Sequence, residues 1–242
     1  MVKTQRLCTV ALAGIEIHRA LARGVFIILF LLAVAVFVPA SLRAQIPPQK
    51  AVWEPEIRAF ENHDNIHQPP QNAVLFIGSS SFRKWTALAQ DFPGIQVINR
   101  GFGGSEIDDS TAYSDRIIFP YHPRVIVLYA GDNDLAAGKS PDVVVAEYTN
   151  FVGVVHARLP QTRIVFVSIK PCTARWKFKN EVIETNRRIA AIHADNLAFV
   201  DVYSHMLGPD GKPRSDLLLS DGLHPNEQCY QLWAPLIRPY LR

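Results

Sequence analysis

The sequence predicts an α/β fold in which helices cover both faces of a parallel β-sheet. Short runs rich in Val, Ile and Phe recur along the chain, and they are apolar on both faces, as strands buried inside a parallel sheet are. Longer amphipathic stretches separate them, and strands that alternate with helices form right-handed βαβ units. The predicted strands are residues 73–78, 95–99, 124–131, 163–170 and 197–202.

Amphipathic stretches predict helices before and between these strands. Trp53, Ile57 and Phe60 recur at helical spacing just before the first strand. Residues 142–159 carry an apolar stripe that begins after a Ser-Pro pair and stops before a proline, which are common helix boundaries. Residues 180–195 carry another such stripe. In a sheet of this kind ligands bind beyond the carboxyl ends of the strands, so a functional site is expected there.

The first 44 residues have the pattern of a targeting segment. Residues 1–24 hold four basic side chains and one acidic one, and residues 25–38 are fourteen apolar residues in a row. This pattern is typical of a secretory signal, and the apolar run is shorter than the ~20 residues that a membrane-spanning helix needs. Ala40 and Ala44 offer cleavage points, and the alternative is an uncleaved anchor that tethers the chain to a membrane through residues 25–38.

Both interpretations predict an exported protein, periplasmic or secreted. Residues 1–44 are the signal peptide or N-terminal membrane anchor, residues 45–52 a linker, and residues 53–242 one folded domain. Without the first 44 residues, the chain has 20 basic and 21 acidic side chains. This balance offers no basic face for nucleic acid, so a nucleic-acid partner is not expected.

The cysteines and histidines give no sign of a metal site. Cys172 and Cys229 can form a disulfide in an oxidising compartment or remain free thiols, and their spacing in the sequence leaves both open. No cysteine cluster has the spacing of zinc ligands, and His63 and His67 lack a third ligand of suitable spacing. No metal or other cofactor is therefore expected.

Small and polar residues cluster where the predicted strands end. Each cluster has an ordinary structural explanation when taken alone, such as a helix cap, a glycine turn or a surface Asp-Gly turn. Together they occupy the ends of three strands and one late loop, which a parallel sheet can bring to one edge. The clusters are GSSS at 78–81, NRGFGG at 99–104, GDND at 131–134 and DGLH at 221–224.

Two of these clusters carry the groups of a nucleophilic hydroxyl and its base. Ser80 follows a strand and precedes a predicted helix, so its own N–H lies at a helix N-terminus, where developing negative charge is favoured. Asp221 and His224 are three residues apart and can lie on one turn. The carboxylate would then accept the imidazole Nδ1–H and leave Nε2 free to take a hydroxyl proton.

The four clusters resemble the signature blocks of the SGNH/GDSL-like hydrolase (esterase/lipase) superfamily. The resemblance spans roughly residues 53–242. It implies a flavodoxin-like, three-layer α/β/α sandwich around a five-stranded parallel sheet, in agreement with the predicted strands. It also implies a site that hydrolyses esters through an acyl-enzyme and needs no metal.

The resemblance assigns a role to individual positions. Ser80, two places after the first glycine of its block, would be the nucleophile, and Asp221 would orient His224 as its base. The backbone N–H groups of Ser80 and Gly104 and the side-chain amide of Asn133 would form the oxyanion hole. These five residues are the candidate catalytic site.

The resemblance implies a serine esterase, with short-chain acyl or acetyl esters as the favoured substrates. Arg175 and Trp176 follow the fourth strand at the edge where a substrate would lie, and they are candidate substrate-binding residues. An Arg donor beside a Trp ring would suit a sugar, and the alternative is a loop Trp packed on the core. An exported location then favours an O-acetylated carbohydrate or a cell-envelope ester. The expected partner is a small-molecule or glycan ester.

Other activities of the superfamily are alternatives that the sequence leaves open. They are a lysophospholipase or thioesterase, a non-catalytic glycan-binding module, and an acyltransferase on the same scaffold. A lipid substrate would require an exposed apolar patch near the site. A binding module would have no need of a serine, a histidine and an aspartate at these positions.

Overall fold

Five parallel strands form the centre of the fold in the computed structural model, which describes residues 48–242. They lie in the order β2-β1-β3-β4-β5, and each neighbouring pair is parallel. This confirms the predicted α/β fold with a five-stranded parallel sheet. The strands are β1 (Val74–Gly78), β2 (Val97–Gly101), β3 (Val125–Tyr129), β4 (Arg163–Val167) and β5 (Leu197–Val200).

Helices precede the sheet and connect its strands. The described α-helices include two long connections between strands and several single turns that follow strand ends. Short 3₁₀ helices lie at Pro48–Trp53, Phe119–Tyr121, Trp176–Phe178, Ser204–Met206, Ser215–Leu217 and Arg238–Tyr240. The α-helices are α1 (Glu54–Ile66), α2 (Ser80–Arg83), α3 (Leu88–Asp91), α4 (Ile107–Ala112), α5 (Ser114–Ile117), α6 (Asp132–Ala136), α7 (Pro141–Arg158), α8 (Lys179–Ala190) and α9 (Glu227–Ile237).

The predicted N-terminal segment falls largely outside this structure. Residues 1–44, predicted as a signal peptide or anchor, and residues 45–47 of the predicted linker lie outside the described residues. The remainder of that linker forms the 3₁₀ helix that leads directly into α1. Between residues 48 and 242, no helix combines the length and the apolar character that a membrane crossing needs.

Each face of the sheet packs against its own layer of helices. In β1, Leu75 and Ile77 belong to a core shared with α1, α4, α7 and α8. Val74 and Phe76 point into the opposite core, which contains residues of α2, α3 and α9. All four side chains are fully buried. The alternation produces the three-layer sandwich, and it explains why the strands are apolar on both faces.

The predicted helix over 142–159 is confirmed as α7, Pro141–Arg158. The Ser140 hydroxyl accepts the Val143 N–H at 3.4 Å, and the proline at the first helical position needs no partner for its nitrogen. The predicted helix over 180–195 is shorter, since α8 ends at Ala190. After Ala190 the chain turns towards the sheet, where Asn196 O accepts the Ile164 N–H at 2.8 Å.

Strand β2 begins and ends two residues later than predicted. The prediction ended at Asn99, where the apolar run stops, whereas the strand continues through Arg100 to Gly101. Both polar side chains have partners. Asn99 Nδ2 donates to Phe82 O at 2.7 Å, and the buried Arg100 guanidinium pairs with Asp64. A polar residue can extend a buried strand when its side chain is paired in this way.

Candidate active site

The turn from β1 to α2 holds Ser80 at the carboxyl edge of the sheet. The N–H of Ser79 donates to Tyr129 O of the neighbouring strand β3 at 2.9 Å. Gly78 has a φ of 125°, and a Cβ added there would lie 2.0 Å from the same carbonyl oxygen. Only glycine fits this close approach. Ser80 then begins α2 and is 8% exposed.

The late loop brings Asp221 and His224 to this serine. His224 Nδ1 lies 2.6 Å from Asp221 Oδ2, and His224 Nε2 lies 3.0 Å from Ser80 Oγ. Because an ionised carboxylate only accepts, Nδ1 carries the proton. In the neutral ring Nε2 is then an acceptor that faces the serine hydroxyl. The arrangement can take a proton from Ser80 and return it to a leaving group.

Asp221 is held ionised by its neighbours. Although burial opposes its charge, hydrogen bonds from the His224 ring and from the N–H groups of His224 and Leu223 keep its pKa well below the usual range. Both backbone bonds reach Oδ1 at 2.9 Å. The carboxylate therefore stabilises the folded state above the ordinary aspartate pKa of ~3.9, and this contribution is lost as the pH falls below that value.

Backbone hydrogen bonds shape the loop around this pair. Leu219 N donates to His224 O at 2.8 Å, which closes the loop across its base. Gly222 O accepts the Ala174 N–H at 3.0 Å and the Thr173 hydroxyl at 3.1 Å. The segment that follows β4 thus contacts the loop that carries the histidine.

Gly104 and Asn133, the candidate oxyanion donors, are neighbours at the same edge. The N–H of Phe102 donates to Gly78 O at 2.9 Å. This bond holds the chain after β2 close to the turn that carries Ser80 (residues 78–81, the serine turn). A Cβ added to Gly104 would lie 3.8 Å from Asn133 Nδ2. Asn133 belongs to α6 and donates from Nδ2 to Ser105 O at 2.9 Å. The structure thus brings together two of the predicted clusters.

The structure places Arg175 on Asn133 rather than in open solvent. Arg175 Nη1 donates to Asn133 Oδ1 at 2.9 Å. Trp176 is half-buried at the start of its 3₁₀ helix, and Lys179 Nζ lies 5.6 Å from the centre of its ring. Arg175 therefore contacts a candidate catalytic residue, while the described contacts of Trp176 are local.

A buried ion pair behind Asn133 was not predicted from the sequence. Lys170 Nζ is fully buried and donates to Asp132 Oδ2 and to the Tyr129 hydroxyl, each at 2.9 Å. Burial opposes both charges, yet mutual attraction raises the pKa of Lys170 and lowers that of Asp132. An acidic residue and a lysine just beyond neighbouring strands β3 and β4 are the signal that could have revealed this pair.

Helix α1 supports the glycine turn after β2, which the sequence also did not indicate. Glu56 Oε2 accepts the Gly103 N–H at 3.0 Å and pairs with Arg83 Nη1 of α2 at 3.2 Å. Gly103 has a φ of 40°, and a Cβ there would lie 1.8 Å from the Trp53 ring. One carboxylate thus links the turn that precedes Gly104 to the helix that begins with Ser80.

Both described cysteines are free and buried. Burial raises the pKa of Cys172, and it raises the pKa of Cys229 to about 12. His63 and His67 stack with ring centres 4.8 Å apart. Within residues 48–242, no group of three His, Cys, Asp or Glu side chains could hold a metal ion.

Comparison with known proteins identifies the family. The GDSL-like Lipase/Acylhydrolase family matches residues 73–232, which is more than half of the chain. None of the curated proteins matches the sequence.

Solved structures share the fold at low sequence identity. A protein from Streptococcus pneumonia, provisionally described as a platelet activating factor, has a TM-score of 0.69 at 20% identity, covering 80% of this chain and 95% of its own. A GDSL-like lipase from Bacteroides thetaiotaomicron has a TM-score of 0.66 at 20% identity, covering 76% of this chain and 96% of its own. A catalytic mutant of an acetylxylan esterase from Geobacillus stearothermophilus has a TM-score of 0.55 at 14% identity, covering 71% of this chain and 95% of its own. Because the family match spans more than half of the chain, the protein belongs to the GDSL-like lipase/acylhydrolase family and is a hydrolase that acts on ester bonds.

Proposed function

We propose that the protein is a serine esterase in which Ser80 is the nucleophile, His224 the general base and Asp221 its orienting carboxylate. The observation that carries this proposal is the pair of contacts at the imidazole. One ring nitrogen lies 2.6 Å from a carboxylate oxygen and the other 3.0 Å from a serine hydroxyl. A nucleophile within reach of a base that a third group orients is the arrangement that acyl transfer needs.

The chemistry proceeds through an acyl-enzyme. Ser80 Oγ attacks the carbonyl carbon as His224 Nε2 takes the hydroxyl proton, and the carbonyl oxygen becomes an alkoxide. When the tetrahedral species collapses, the ester C–O bond breaks and the departing alcohol takes the proton from His224. Water then attacks the acyl-serine with His224 again as base, which releases the carboxylic acid and restores Ser80.

Three donors stabilise the alkoxide in this proposal. They are the N–H groups of Ser80 and Gly104 and the Nδ2–H of Asn133. The neighbouring positions of Gly104 and Asn133 support the assignment, as does the place of Ser80 at the start of α2. Losing one such donor typically costs ~10²–10³ in turnover.

We infer a polar substrate from the small exposed apolar surface of the site loops. A cavity of about 480 Å³ adjoins the histidine loop (residues 219–226); both polar and apolar side chains line it, and none of the five candidate catalytic residues is among them. A lipid substrate would instead require an apolar patch, and within the described residues Leu219 is the one large exposed apolar side chain in the site loops. The polar residues of the cavity are Lys84, Thr86, Asp91, Asn226 and Glu227.

The proposed substrate is therefore a short-chain acyl ester of a polar alcohol, such as an O-acetylated carbohydrate or another cell-envelope ester. The similarity of fold to an acetylxylan esterase is in keeping with this choice. The proposed location is outside the cytoplasmic membrane, since residues 1–44 have the pattern of an export signal or an anchor. If that segment is not cleaved, residues 25–38 would tether the enzyme.

The test of the nucleophile is Ser80→Ala. We expect hydrolysis of a chromogenic acetyl ester to fall on the order of 10⁶-fold, to the background rate, with an unchanged melting temperature. The matched control is Ser79→Ala. Its neighbouring hydroxyl is buried without a hydrogen-bond partner, so its removal should leave turnover within about 2-fold. Turnover retained by Ser80→Ala would dismiss the assignment.

Two further measurements separate the alternatives. A fluorophosphonate probe should label the native protein at Ser80, whereas a glycan-binding module without catalysis would stay unlabelled. Acetylated oligosaccharides, lysophospholipids, acyl thioesters and acetyl esters with an added sugar acceptor should then be compared as substrates. Faster hydrolysis of a lysolipid or thioester than of acetylated sugars, or acyl transfer that exceeds hydrolysis, would overturn the proposed substrate class.

A further inference from the structure

Arg175 occupies the carbonyl end of the Asn133 amide. Its Nη1 donates to Asn133 Oδ1 at 2.9 Å and lies 3.5 Å from Asp132 Oδ2. The two partners are neighbours at the start of α6. The arginine expected to bind substrate therefore spends one of its donors on the amide proposed to bind the oxyanion.

The arginine is held in place by the buried ion pair behind it. Asp132 Oδ2 accepts from Lys170 Nζ at 2.9 Å, and Lys170 is fully buried. Two cations face one carboxylate, so the group carries a net positive charge next to Asn133. A buried pair of this kind is costly to break, which makes it a rigid support for the groups attached to it.

We propose that Arg175 is a positioning residue that fixes and polarises the Asn133 amide. A guanidinium group can only donate, so it requires the amide oxygen on its side and turns the NH₂ group away from it. One Nδ2 hydrogen then goes to Ser105 O at 2.9 Å, which leaves the other for a ligand. A charged donor on the oxygen also draws electrons from the amide and strengthens its N–H as a donor.

This inference rests on the proposed esterase function and adds a specific dependence. If Arg175 acts through Asn133, its contribution exists only while the Asn133 amide is present. If it binds substrate directly, the contribution is independent of Asn133. A double-mutant cycle separates the two cases.

The experiment compares Asn133→Ala, Arg175→Met and the double variant in steady-state hydrolysis of an acetyl ester. Methionine keeps an unbranched side chain for packing and removes every donor. We expect Asn133→Ala to lower kcat ~10²–10³-fold and Arg175→Met about 10-fold, with KM changed less than about 2-fold. The double variant should match Asn133→Ala within about 3-fold.

Two controls keep the outcome clear. Lys177→Ala removes another cation from the same segment, one whose described contact is the Phe178 ring, and should leave kcat and KM unchanged. Fluorophosphonate titration counts active sites in each preparation, so misfolded protein is not mistaken for slow turnover. A full additional loss from Arg175→Met in the Asn133→Ala background, or a raised KM with unchanged kcat, would overturn the inference. A wild-type protein that neither turns over esters nor takes up the probe would instead reject the esterase proposal.

Discussion

The serine turn and the histidine loop face each other across one hydrogen bond, but they are held in different ways. Ser80 lies between a fully buried strand and a buried helical turn, and it is 8% exposed. Asp221 and His224 lie in a loop without strand or helix, and the Asp221 side chain is 45% exposed. Core packing positions the proposed nucleophile, whereas backbone and side-chain hydrogen bonds position the proposed base.

Because the two regions are held in different ways, stability and activity should respond separately to substitutions in them. Substitutions that add atoms to the buried serine turn, as at Gly78, disturb the packing of the sheet and should lower the free energy of unfolding. Substitutions in the histidine loop change a few exposed hydrogen bonds and should lower turnover while the fold persists.

Among the substitutions that compare the two regions, Asp221→Asn in the loop should have the largest effect, and that effect is on activity. Asn Oδ1 can still accept the two backbone N–H groups, but its NH₂ would donate to His224 Nδ1 and force the proton onto Nε2. The ring could not then act as a base, so we expect kcat to fall ~10⁴-fold in steady-state assays. Asp216→Asn is the matched control, because that exposed aspartate pairs with Arg214. A melting temperature lowered much more by Asp221→Asn than by the control would contradict the contrast between the regions.

The next effect is on stability, from Gly78→Ala in the serine turn. The new Cβ would lie 2.0 Å from Tyr129 O at a φ of 125°, so the backbone of two adjacent strands must move. We expect a loss of about 4 kcal/mol or more in the free energy of unfolding, measured with urea. Gly153→Ala in α7 adds the same methyl group where nothing lies within 4 Å, and it should stabilise the helix by about 0.5–1 kcal/mol. Equal effects of the two substitutions on the free energy of unfolding would contradict the close packing of the serine turn.

The smallest effect is expected from Gly222→Ala in the loop. Its Cβ would lie 2.3 Å from the Thr173 hydroxyl at a φ of 64°, so the strain is local, about 1–3 kcal/mol. Since the loop carries Asp221, we expect kcat to fall about 10-fold with a small change in melting temperature. Adding Thr173→Ala removes the steric contact and should recover part of the activity. No recovery would mean that the strain lies in the backbone alone.

The sequence was sufficient to predict the features that depend on residues close together along the chain. Buried strands alternate with helices, so the sheet and the edge with its polar residues were predicted before any contact was known. Asp221 and His224 meet because three residues of one turn separate them, and their contact at 2.6 Å is local. The predicted bounds of β2 were wrong by two residues because the strand contains polar residues whose partners lie in other elements.

The supports of the site could not be predicted because they join distant parts of the chain. Arg175 and Asn133 are 42 residues apart, and Glu56 and Gly103 are 47 apart. Several polar groups reach the same edge of the sheet, and side-chain packing decides which of them pair. The contact between Arg175 and the Asn133 amide is one such pairing, and whether Arg175 also binds substrate stays a prediction.

Residues before the family match support the turn that precedes Gly104. The family match starts at residue 73, but Glu56 and Trp53, which hold the turn before Gly104, precede it. A fragment that begins at residue 73 would leave the Gly103 N–H without the Glu56 carboxylate and would remove the Trp53 ring that packs against Gly103. The folded unit around the site therefore begins before residue 73, with the 3₁₀ helix and α1 that supply Trp53 and Glu56.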